Sequence, residues 1–185
     1  MKAIITEWPQ YFTATNLEWK KLLQQDKYKD IIIDSFRFLV NHERIKLNAF
    51  VTMSNHIHLI WQMGASIDPH AVQRDFLKYT AQKIKADLTK NHPAGLECFR
   101  VNPKDRTYQF WERNPLSIEL RTHSVFLQKL EYIHHNPVRA GLCRFPENYK
   151  YSSALFYHTG IDNWGFLHTT GINVGVVGAP LMILN

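Results

Sequence analysis

IKLNAFVTMSNHIHLIWQM, residues 45–63, holds two apolar runs, Ile45 to Met53 and His56 to Met63, separated by Ser54-Asn55. That pattern predicts a β-hairpin closed by a tight polar turn. Side chains alternate along a strand, so His56 and His58 share one face of the second strand while Ile57 takes the other. Two imidazoles held on a rigid sheet supply two nitrogens of a metal site that needs a third ligand. An H-x-H pair on a strand also occurs with nothing bound to it.

Outward from the hairpin the chain reads as a succession of short elements. Gln10 to Asn16 (QYFTATN) is aromatic and β-branched, hence strand-like. Ile31, Ile32, Phe36, Leu39 and Val40 recur at helical spacing and predict a helix over about Asp26 to His42. After the hairpin, Asp68-Pro69 is an N-cap followed by proline at the first helical position, opening a helix to about Lys90 that Asn91-His92-Pro93 ends. Ala94 to Arg106 reads as loop and Thr107 to Trp111 as a strand. A last helix runs from about Ser124 to His134, stopped by Asn136-Pro137. This order predicts an α+β layer fold, a small antiparallel sheet with helices packed on it, as one domain over residues 1–170. The apolar tail 171–185 suits either an extra edge strand or a disordered end.

Composition narrows the partners. With 185 residues and 45% hydrophobic content the chain can fill one core. Its 22 Lys+Arg against 16 Asp+Glu give a net charge of +6, which favours a polyanion. Cys98 and Cys143 form no zinc-ligand pattern and no disulfide framework, so a reducing, cytoplasmic setting is expected. No run approaches the roughly 20 apolar residues a membrane span needs, so no membrane partner is expected.

In the helix from Pro69, residues Val72, Phe76, Thr80, Ile84 and Leu88 advance by four and form the core stripe. Tyr79 lies roughly 120° from the centre of that stripe, in polar company, so its phenol is open to solvent or ligand. A phenol is a poor nucleophile at neutral pH and needs a nearby Lewis acid or base. A metal on His56 and His58 would serve, with the Gln82 amide as a possible third ligand. Equally, Tyr79 suits an ordinary residue at the edge of the core. Trp8, Tyr11, Phe12, Trp61, Tyr108, Phe110, Trp111 and Trp164 are candidates for core positions or for stacking on unpaired bases. His134 and His135 read as packing or capping residues, because neighbours in a helix do not share a face.

Five stretches, AFVTMSNHIHLIWQ (49–62), QRDFLKYTAQKI (73–84), YQFWERNPLSIEL (108–120), KLEYIHHNPVRAGL (129–142) and YKYSSALFY (149–157), resemble the single-tyrosine HUH transposases, in particular the REP-associated tyrosine transposases with their IS200-like domain. The resemblance implies a ferredoxin-like domain of the HUH endonuclease type whose central strand presents the histidines. It implies that His56 and His58 bind a divalent ion, Mg or Mn, and that Tyr79 forms a 5′-phosphotyrosine and frees a 3′-OH. In better-known relatives an amide or similar ligand lies four residues after the tyrosine. Here that position is Lys83, which leaves Gln82 as the candidate ligand and Arg74, Lys78 and Lys83 as candidate phosphate contacts. The implied substrate is single-stranded or hairpin DNA, acted on by a monomer or homodimer in transposition or mobilisation of palindromic repeats. The non-enzymatic alternative is a domesticated hairpin-binding protein.

Overall fold

The computed structural model describes residues 8–102 and 106–169, so the tail 171–185 lies outside the described residues. Strands β1 (Gln10–Thr15), β2 (Ile45–Thr52), β3 (His56–Met63) and β4 (Leu116–Glu119) make a four-stranded antiparallel sheet in the order β2-β3-β1-β4. Helices α1 (Asp26–Asn41) and α2 (Pro69–Asn91) complete a βαββαβ unit of ferredoxin-like order. Then come α3 (Pro93–Glu97), α4 (His123–Arg139) and α5 (Ala154–Thr159), of which α3 precedes β4. The hairpin and the first two helices fall where the sequence puts them.

Crossover handedness decides what covers each face of the sheet. β1 to β2 and β3 to β4 are each crossovers between parallel strands, and such crossovers are right-handed. The second starts from a strand of opposite direction and moves across the sheet in the opposite sense, so both helices land on the same face. The core follows that arrangement. Ile32 and Phe36 of α1 and Val72, Phe76 and Ile84 of α2 pack with Phe12, Phe50, Ile57, Leu59 and Trp61. Phe126, Leu130 and Ile133 of α4 pack on the other face with Tyr11, Ala49, Val51 and Ile60. One register shift separates Leu47 and Ala49, so Asn48 is an extra residue in β2 that alters which face follows it.

Three expectations are corrected. The fourth strand is Leu116–Glu119, paired with Gln10 to Thr13, and not Thr107 to Trp111. That aromatic run makes only isolated bridges from Tyr108 and Trp111, because Phe110 and Trp111 are core residues, the indole N–H of Trp111 donating to Thr80 Oγ1 at 3.1 Å. Aromatic content there reports burial rather than pairing. Pro93 opens the short helix α3 inside the expected loop. The last helix continues through Pro137 to Arg139. Pro137 sits in the final turn, where its missing N–H removes one helical bond, and its ring is buried.

The open edge of β2 is closed by the C-terminal segment: Val51 bridges Ser152 and Leu47 bridges Leu167. Among the described residues no helix is long and apolar enough to cross a membrane.

Candidate functional site

His56 and His58 project from β3 on the α4 face, their ring centroids 4.7 Å apart. Each ring is oriented through Nδ1. The side-chain amide of Asn55 donates from Nδ2 to the Trp19 carbonyl at 3.2 Å, which turns its Oδ1 toward His56 Nδ1 at 2.8 Å. An amide oxygen only accepts, so His56 carries its proton on Nδ1 and keeps a lone pair on Nε2. His58 Nδ1 meets Tyr11 Oη at 2.9 Å and Thr13 Oγ1 at 2.8 Å. Its Nε2 is buried and has no hydrogen-bond partner. An orphaned imidazole nitrogen, with the opposite nitrogen anchored, is what a metal ion would satisfy.

Burial holds both rings neutral. Desolvation depresses His56, partly opposed by the polar side chain of Asn136. Desolvation, with the charges of His56 and Lys129, pushes His58 down to about 3. His134, buried against Ser153 Oγ at 2.9 Å, is likewise pushed down to about 3, chiefly by desolvation. It packs α4 onto the segment that closes β2, as the sequence suggested for it.

These depressed values make the fold sensitive to acid. A histidine that protonates near 6.5 when unfolded but only near 3 when folded leaves the unfolded chain binding the extra proton between those limits. Stability is therefore complete above pH 6.5 and falls below it, by up to about 1.4 kcal/mol per pH unit for each of His58 and His134. Urea unfolding at pH 7.5, 6 and 5 should show this slope, and His134→Asn should remove one proton's share. A flat profile from pH 7 to 5 would contradict the buried, neutral state of both rings.

The α4 residues facing the histidines are Lys129, Tyr132 and Asn136, spaced i, i+3, i+7 beside the buried stripe Phe126, Leu130, Ile133, Pro137. The Tyr132 ring lies 5.2 Å from His58 and 6.4 Å from Tyr11. It is 37% exposed, so it contacts the site yet remains reachable. Asn136 is one helical turn on, its side chain beside His56. Lys129 Nζ stands 4.8 Å from the Tyr11 ring and Arg139 Cζ 5.3 Å from the Tyr132 ring, placing two cations at the phenol. Next to this cluster the β4 edge shows exposed Leu116 and Ile118, which pair with Thr13 and Tyr11 and so share the histidine face.

The structure does not bring Tyr79 or Gln82 to the histidines. Tyr79 is on α2, across the sheet, where it is 47% exposed beside Phe38, Arg44, Asp75 and Phe76, with Lys83 Nζ 5.5 Å from its ring. Gln82, Arg74 and Lys78 line a separate groove of about 970 Å³ between α2 and residues 106–115, shared with Lys85, Arg106 and Arg113. Tyr132 and Asn136 are the site residues that reading the sequence missed. Their signal was present, since a tyrosine followed four residues later by an amide is the spacing expected of nucleophile and ligand, and it occurs inside KLEYIHHNPVRAGL. Among the described residues no three His, Cys, Asp or Glu side chains are grouped to hold a metal, so any ion here relies on two histidines and an amide.

No family model matches the chain. A Haemophilus influenzae protein provisionally named a REP-associated tyrosine transposase is 24% identical over 170 residues, covering 83% of this chain and 90% of that protein. A solved REP-associated tyrosine transposase bound to a REP hairpin superposes with a TM-score of 0.62 at 16% identity, covering 93% of this chain and 92% of that one. The α+β fold is therefore that of this group.

Proposed function

We infer that this chain, a relative of the REP-associated tyrosine transposases in sequence and in fold, cleaves and rejoins single-stranded DNA at hairpins with Tyr132 as its nucleophile. The observation that carries this reading is the convergence of a reachable tyrosine, an amide and two neutral, oriented imidazoles on one face of the sheet. Tyr132 Oη attacks the scissile phosphorus and forms an O–P bond while the bond from phosphorus to O3′ breaks. The phenol proton passes to solvent, the 3′ oxygen leaves as a hydroxyl, and the 5′ phosphate stays on the tyrosine. Attack by a 3′-OH on that linkage regenerates Tyr132 and joins the strands.

His56, His58 and Asn136 are the residues that would hold a divalent ion of the Mg or Mn kind, which when bound would polarise the scissile phosphate. Asn55 acts through His56 by holding its tautomer, so Asn55→Ala should weaken metal affinity about 10- to 100-fold, read by Mn²⁺ titration. Lys129 and Arg139 attract the phosphate by charge. The free thiols of Cys98 and Cys143 suit the reducing cytoplasm proposed as its setting.

A labelled hairpin with a single-stranded flank, incubated with Mg²⁺ or Mn²⁺, should yield a covalent protein–DNA adduct. Binding of the hairpin without any adduct or strand break under either ion would favour a domesticated binding protein instead. The groove holding Arg74 and Lys78 supports an additional phosphate contact, and binding should weaken by about 0.7 logarithmic units per tenfold salt for each phosphate neutralised on a single strand.

A further inference from the structure

Between β1 and α1 the chain passes through two consecutive residues in the left-handed region, Glu18 at φ 53° and Trp19 at φ 56°. Neither is glycine, asparagine or aspartate, the residues that tolerate this conformation most easily. Four hydrogen bonds hold it. Glu18 N–H donates to Glu112 Oε1 at 2.7 Å, Trp19 N–H to the Asn16 carbonyl at 3.0 Å, Lys20 N–H to the Leu17 carbonyl at 3.1 Å, and Asn55 Nδ2 to the Trp19 carbonyl at 3.2 Å.

The consequence of this backbone is the position of one indole. Trp19 is 63% exposed and belongs to neither core cluster. Its ring centroid lies 5.8 Å from that of His56, the planes inclined at 69°. An edge-on contact of that kind leaves indole surface open to solvent. Burial of apolar surface does not account for a large aromatic held out by a strained backbone, and such outliers concentrate where a group must be presented to a ligand.

We propose that Trp19 is a stacking platform for an unpaired base of the DNA strand beside the scissile phosphate. The inference rests on the reading of this site as one that cleaves single-stranded DNA. An indole accepts any base face, so the contact sets where the strand enters rather than which sequence it carries. The tie from Trp19 through Asn55 to His56 fixes the platform to a residue of the catalytic cluster. A base stacked there is therefore placed in register with the phosphate that Tyr132 attacks.

The test is a coupling measurement in the Tyr132→Phe background with chelator present, so that binding is read without cleavage. Fluorescence anisotropy gives the affinity for a hairpin with a single-stranded flank, and for the same DNA made abasic at each flank position in turn. Trp19→Ala should weaken binding to the intact strand roughly 5- to 150-fold. At one or two adjacent positions the abasic change should erase that difference, and Trp19→Phe should retain most of the affinity. Unchanged binding by Trp19→Ala, or a uniform loss with no position-specific coupling, overturns the proposal. So does loss of cleavage by Trp19→Ala made in the protein that keeps Tyr132 and assayed with Mg²⁺ or Mn²⁺, if binding is unaltered, which would make the indole a support for His56 alone. If the parent protein binds no single-stranded flank at all, the reading of the site fails first and the platform fails with it.

Discussion

Replacing Tyr132 by phenylalanine is expected to abolish the covalent protein–DNA adduct, lowering cleavage by on the order of 10³-fold or more, while hairpin binding stays within a few-fold. The change deletes one oxygen and keeps the ring that packs against His58 and Tyr11. Tyr79→Phe is the matched comparison, since that side chain is also an exposed helical tyrosine. It should leave adduct formation unchanged, because α2 lies on the opposite face of the sheet from His56 and His58. Gel separation of protein–DNA adducts distinguishes the two. Loss of the adduct in Tyr79→Phe with its survival in Tyr132→Phe would reverse the assignment and require α2 to leave the sheet during the reaction.

The second large effect concerns the ligands. His56→Ala and His58→Ala should each suppress ion-supported cleavage more than about 100-fold, because a metal ligand counts for at least as much as the groups behind it. Hairpin binding should fall far less. His58 is buried, so its truncation also leaves a void, and thermal melting must accompany the assay. Asn136→Ala separates the amide from its helix neighbours: reduced Mn²⁺ affinity, with melting unchanged, identifies it as the third ligand. Gln82→Ala, in the groove on the other side of α2, should leave Mn²⁺ affinity at the parent value. Full cleavage by His56→Ala in chelator would show that the chain works without a metal site.

Much of this protein is readable in one dimension. The hairpin, the helices over α1 and α2, and the shared face of His56 and His58 follow from periods of 2 and 3.6 that local geometry imposes. The strand at Thr107 to Trp111 failed because an aromatic run looks the same whether it pairs or packs. The stop at Pro137 failed because proline interrupts a helix interior but is tolerated in a last turn where its ring is buried. Trp19 carries no mark of a stacking candidate in the sequence, since nothing in NLEWKK announces a left-handed backbone. Its conformation depends on Glu112 and Asn55, which are distant in the chain.

By itself, then, the sequence determined which residues share a face within the elements it delimits: His56 with His58 on β3, and Val72, Phe76, Thr80, Ile84 and Leu88 on α2. It also carried a likeness to a REP-associated tyrosine transposase, 24% identical over 170 residues. Which helix meets the histidines is a relation between elements, and only the tertiary structure decided it. Ile57, Leu59 and Trp61 form the face that both right-handed crossovers must cover, so α1 and α2 are committed to it and Tyr79 goes with them. The histidine face is left to α4, and Tyr132 is the tyrosine that arrives there.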